Sequence, residues 1–395
     1  MSRKRIHLAT KKRYVVSQQT RDRCQVRNVS EISLMDYTPV SMELFSYLYE
    51  TPKVPCTLFL QVESEFIEFM RPEETSKELL NSIRAAMGLK FAYVNLYATN
   101  SGHEKLQELI KSVRNKKIND VLVKDPYLDR RTLELFGDLS NASQMVVRGG
   151  ITRQVNERIS IAATKLVDNL MTNPVAIGTL SRMVHCDPTL YDHSASVAMI
   201  ASFISLRILE KPFNKKGSEL VARAGLYHDV GKTCVPSHIL NKPGSFTPEE
   251  FEVMKTHTTL GHEELNKAIK QGAPIEPEVT RVALEHHERF NGEGYPYGKK
   301  GRLEEDENGI HIMTRIVTIA DVYSALLMKR VYKPAYESGQ AIKIMTDSYE
   351  KDYDPEIFIP FLKHIVHSLN YYTEKEKKDK GRLLVLENGK LKLSS

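Results

Sequence analysis

No stretch of this 395-residue chain approaches the ~18 consecutive apolar residues that a membrane-spanning helix needs. Its four cysteines, Cys24, Cys56, Cys186 and Cys234, are scattered and form no C-x-x-C pair. That argues against a disulfide framework and a thiolate zinc site, and fits a reducing compartment. The opening Met1-Ser-Arg-Lys-Arg-Ile lacks the apolar run of a secretory leader, so the cytoplasm is the expected location. No internal repeat or low-complexity tract is present. The net charge of +6 is concentrated at one end: Met1 to Arg27 holds nine Lys/Arg against one acid, Asp22. The remainder is close to neutral. A basic head of this kind reads as a solvated terminus, and nucleic acid is not an expected partner.

What is present is enough chain for two domains, with 41% hydrophobic and 27% charged residues. The expected class is multidomain α+β. A basic, poorly ordered segment covers 1–30. A small mixed α/β domain covers 31–145, with β-rich alternation over Val54–Met70, a further strand near Lys90–Ala98, and helices over Ser76–Met87 and Glu104–Val113. It contains no catalytic constellation and is expected to regulate, to bind a signalling protein or to form a homodimer. From 146 to 375 the apolar stripe keeps a helical period, which predicts an all-α domain. The tail, 376–395, reads as a β-hairpin turning at Asn388-Gly389.

Five histidines and two aspartates of the helical region carry the chemical signal. His228-Asp229 closes the apolar helix that ends in Gly225-Leu-Tyr, with Gly231-Lys232 after it. A carboxylate has two oxygens and can bridge two ions, whereas an imidazole lone pair binds one. Lys232 falls on about the same face, where an ammonium would meet a phosphate. His257, the pair His286-His287, and His193 at the head of a helix lie on either side. Asp321 sits inside the apolar run Arg315-Ile-Val-Thr-Ile-Ala-Asp, and a carboxylate there needs a partner. A metal is one. Imidazole plus carboxylate suits Fe, Mn, Ni, Co or Zn rather than an all-oxygen Mg or Ca cage. His238, His262 and His311 read as surface histidines, His364 and His367 as packing, and Cys234 as a small buried hydrophobe. Glu285 and Glu288 read either as outer partners of the histidines or as exposed charges.

Taken with Gly294-Tyr-Pro296, Val235-Pro236, Ile239-Leu-Asn-Lys-Pro-Gly244 and Tyr353-Asp-Pro355, these residues resemble the HD-GYP group of HD-superfamily phosphohydrolases over about Tyr191–Leu362. The resemblance implies metal-dependent hydrolysis of cyclic di-GMP, a bacterial second messenger, to pGpG or GMP. It implies two divalent transition-metal ions, Fe or Mn first, with Ni, Co and Zn as alternatives. By position, His193, His228, Asp229 and Asp321 would hold one ion. Asp229 would bridge to a second, held by His257, His286 and His287. Lys232 would meet the scissile phosphate, and Tyr295, Arg330 and Lys333 would contact the nucleotide. The chain departs from the pattern at Asn291, Ser324 and Ser237, each where the group usually has Asp. Thr189 stands where a Glu would support a third ion. These departures leave two alternatives: a cyclic di-GMP sensor with a slow site, or an HD hydrolase of another nucleotide.

Overall fold

The structure, a computed structural model, describes residues 37–41, 58–62, 65–70, 91–95, 115–125, 128–173, 176–186, 192–240, 242, 244–301, 309–328, 336, 338–376, 384–387 and 390–393. The chain divides into two compact units, Met1–Asn119 and Asp120–Ser395. In the first, β1 (Tyr37–Ser41), β2 (Leu58–Val62), β3 (Glu65–Met70) and β4 (Phe91–Asn95) form one antiparallel sheet in the order β1-β4-β2-β3.

The second unit begins with α1 (Arg130–Gly149), α2 (Arg153–Thr172), α3 (Ala176–Cys186), α4 (His193–Phe203) and α5 (Lys215–Tyr227). It continues through α6 (Ser237–Leu240), α7 (Pro248–Lys255), α8 (His257–Lys270), α9 (Pro277–Glu285) and α10 (Ile312–Leu327). It closes with α11 (Ser338–Asp352), α12 (Pro355–Glu376) and the short paired strands Leu384–Glu387 and Lys390–Leu393.

The multidomain α+β class expected from the sequence is overturned. Among the described residues from 115 to 376 every regular element is helical, and these helices share one buried core that runs from Ile118 to Val366. Alternation of β-formers reports local strand pairing, whereas class is decided by which elements share a core. The helices expected over Ser76–Met87 and Glu104–Val113, which would have layered the sheet, lie outside the described residues. So do the basic head, Thr189, Arg330, Lys333 and the Asn388-Gly389 turn.

Side-chain caps set where the helices start. Asp129, Thr152, Asp192 and Asn214 each accept a backbone N–H from the first turn of the helix that follows. Thr247 and Glu250 form a reciprocal capping box at the head of α7, with Pro248 as its first residue. α4 is the central element: Ala195 to Phe203 are all buried. It packs against α5 and α10, and α2 closes over α5. Asn156 ties this layer together, accepting from the Tyr227 hydroxyl at 3.0 Å and donating to Pro274 O at 2.8 Å.

Candidate metal centre

Adjacent residues on a helix point about 100° apart, so two neighbours cannot both serve one site from helical backbone. Both ligand pairs solve this at a helix end. α5 stops at Tyr227, and the chain enters a 3-10 turn over Val230–Cys234 that turns Asp229 inward beside His228. α9 stops at Glu285, placing His286 and His287 in the turn beyond it. The sequence pattern predicts one helix over Thr247–Ile269, but Thr256 interrupts it and His257 opens α8. Gly231 brings these ends together. A Cβ there would lie 1.9 Å from His257 O and 2.4 Å from Gly261 N, so only glycine lets the turn rest on α8.

The side chains converge on Asp229. Its Oδ2 lies 3.3 Å from His228 Nε2 and 3.7 Å from His193 Nε2. Its Oδ1 lies 3.5 Å from His257 Nε2 and 3.6 Å from His286 Nε2. Asp321 Oδ1 faces the first pair, 3.0 Å from His193 Nε2 and 3.7 Å from His228 Nε2. Two groups able to hold a metal ion result: Asp229 with His257, His286 and His287, and Asp229 with His193 and His228. Asp229 belongs to both.

The rings are held with Nε2 inward. His228 Nδ1 donates to Gly225 O at 2.8 Å, His257 Nδ1 to Met254 O at 2.7 Å, and His286 Nδ1 to Ala283 O at 3.0 Å. A carbonyl only accepts, so each Nδ1 carries a proton and a neutral ring keeps its Nε2 lone pair for the site. His257 and His286 thereby face one another Nε2 to Nε2 at 3.3 Å, a repulsive arrangement unless a proton or cation lies between them. His228 Nε2 and Asp229 Oδ1 are buried and make no hydrogen bond, which is costly unless something else partners them. These donors fit a transition-metal ion.

Electrostatics agree. Burial disfavours charge on Asp229, yet Lys232 and His228 outweigh it and hold the carboxyl well below the usual range. Asp321 is likewise held low against its burial by His193 and His228. Burial opposes a charge on His228, but Asp229 and Asp321 push its pKa up to about 10. Positive charge is favoured at that spot. On the other side, burial and the neighbouring His286 push His257 down to about 4 and hold His287 well below its ordinary value.

Lys232 Nζ sits 2.5 Å from Asp229 Oδ2 with its side chain 36% exposed, so it lines the open side. Tyr295 tilts at 31° against the His287 ring, centroids 4.8 Å apart. Its loop folds back tightly: a Cβ on Gly294 would lie 2.3 Å from Arg289 N. Glu288 and Glu285 are neither outer partners of the histidines nor exposed charges. Glu288 is 1% exposed and accepts from Tyr297 N at 2.7 Å and Lys299 N at 2.9 Å. Glu285 is 2% exposed and takes Arg281 and Lys299. Together they anchor the loop that carries Tyr295.

Of the remaining residues singled out by sequence, His262 bonds Thr280 O and Asn266, His311 caps α10, and His364 packs on Phe203. Cys234 is exposed rather than buried. Asn291 accepts from Glu293 N at 2.9 Å and donates to the Glu293 carboxylate at 2.8 Å, so the loop keeps a turn there. Ser324 has a part that sequence reasoning missed: its Oγ lies 2.9 Å from His193 Nδ1. The sequence marks Ser324 as a departure from the resembled pattern, but nothing in it names His193, 131 residues away, as the partner.

Residues 179–357 match the family model described as HD domain. That stretch is similar to an HD domain. A cyclic di-GMP phosphodiesterase of Pseudomonas aeruginosa, PA4108, is 35% identical over 237 residues, 58% of this chain and 50% of that one. The cyclic di-GMP phosphodiesterase response regulator RpfG of Xanthomonas campestris is 38% identical over 140 residues, 34% of each chain. Among solved structures, Bd1817, an HDG"Y"P protein from Bdellovibrio bacteriovorus, matches with a TM-score of 0.54 at 17% identity, covering 83% of this chain and 99% of that one. That likeness is one of fold. The chain spans about half the length of the first curated relatives it matches. The matched stretch contains every member of both ligand groups. No described helix is long and apolar enough to cross a membrane.

Proposed function

We propose that the helical unit hydrolyses a phosphodiester bond of cyclic di-GMP at a dinuclear metal centre. The observation that carries this reading is Asp229, whose two oxygens face two separate histidine groups. His193, His228 and Asp321 would serve one ion, and His257, His286 and His287 the other, with Fe or Mn suited to the donor set. The chemistry such ions supply is polarisation of phosphoryl oxygens and activation of water. Lys232 would exchange part of its contact with Asp229 for a phosphoryl oxygen, neutralising charge as it develops. Tyr295 walls one side of the centre, and Arg330 and Lys333 would reach the nucleotide from a segment outside the described residues. The named activity of the Pseudomonas and Xanthomonas relatives supports the choice of substrate. Asn291 and Ser324 are both built into hydrogen bonds, so neither departure favours a sensor over an enzyme.

The test is anaerobic incubation of the purified chain with cyclic di-GMP and each metal in turn, reading pGpG and GMP by chromatography. Product with Fe or Mn supports the reading. Tight binding of intact ligand without product under every metal would replace it with a sensor.

A further inference from the structure

α7 carries more than the residues that lead into His257. Phe251 and Lys255 stand four apart on it and therefore share a face. Phe251 is 45% exposed, a large aromatic left at the surface beside the candidate centre. Its ring meets Tyr295 edge-on, centroids 6.3 Å apart, and Tyr295 in turn lies against His287. Lys255 Nζ lies over both rings, 5.4 Å from Phe251 and 5.7 Å from Tyr295. The hydrophobic cluster of Val235, Ile239 and Met254, with Phe246 and Val253 against it, anchors the helix to the protein. An aromatic surface and an ammonium are thus linked to the candidate centre through Tyr295, whose ring contacts both Phe251 and the ligand candidate His287.

We propose that Phe251 and Lys255 form a purine-recognition edge that selects guanine, an assignment that rests on the proposed nucleotide hydrolase reading. Phe251 offers the base an apolar ring contact, which any base accepts. Lys255 provides the discrimination. An ammonium donates and never accepts, so it suits the paired O6 and N7 acceptors of guanine and opposes the N6 amino donor of adenine. The ion pair between Lys255 and Glu252, at 2.6 Å, does not compete strongly, because Glu252 is largely solvent-exposed and such pairs are weak.

The experiment titrates the full metal-loaded chain with GMP and with AMP by calorimetry. The expected result is a preference for GMP on the order of tenfold. Lys255→Met should abolish the preference and Lys255→Arg should keep it, since a guanidinium donates to the same two acceptors. Phe251→Ala should weaken both nucleotides on the order of tenfold. Equal affinity for GMP and AMP, no binding of either, or a preference that survives Lys255→Met would each overturn the assignment. Cyclic di-GMP turnover by the same preparation separates the two proposals. A GMP preference without turnover removes the hydrolase reading alone, and turnover without a GMP preference removes this one alone.

Discussion

Replacing Asp229 by asparagine keeps its shape and removes its charge, leaving both histidine groups without their shared anion. Asp229→Asn should therefore empty both metal positions and abolish turnover, with elemental analysis as the check. Retention of full metal content would show that the carboxylate does not bridge. Lys232→Ala separates holding the ion from using it: metal content should persist while the rate falls on the order of a hundredfold or more. Ser324 acts through another residue. It fixes the His193 ring by Nδ1, so Ser324→Ala should weaken metal binding about tenfold or more without touching a ligand, and Ser324→Thr should restore it. Titration with Mn while following ring signals by NMR would read both. The histidine and aspartate ligand candidates were legible in the sequence because their spacing and their company are unusual. The bracing parts were not, since Ser324 gains its own from His193, 131 residues away, and Glu285 and Glu288 gain theirs from the folding-back of a nearby loop that no periodicity announces.

Helix ends, rather than helix faces, build the centre. The apolar periodicity that located α4, α5 and α10 does not say where a helix stops, and the useful geometry begins where it stops. That is why the break at Thr256, inside the helix expected over Thr247–Ile269, is not visible in the sequence pattern. It is also why the α+β class was misjudged: alternation identified strand-forming segments but could not show which elements share the core. The contact between the Val230–Cys234 turn and α8 leaves no room for a methyl group. Gly231→Ala should cost about 2 kcal/mol or more, because the atoms it meets are backbone and cannot step aside. Urea melts would measure this. Wild-type stability in Gly231→Ala would mean the two elements are free to separate.

The compact helical unit starts at Asp120, and α1 belongs to it: Asp129 N donates to Thr179 Oγ1 and Asn169 reaches Thr132. A chain beginning near residue 120 should fold and take up metal. One beginning at 146 should lose both, since it discards most of α1. Circular dichroism and metal analysis of the two truncations decide the point. Chelation of the full chain should lower its melting temperature, by an amount equivalent to about 2.7 kcal/mol at a free ion concentration of 100 Kd. The candidate ligands come from five separate stretches, running from His193 to Asp321. Synthesis proceeds from the N-terminus, so a nascent chain cannot complete the first ligand group until the segment bearing Asp321 has left the ribosome. Occupancy of both positions would then mark that all five stretches have docked, and no chain ending before Asp321 would carry the complete centre.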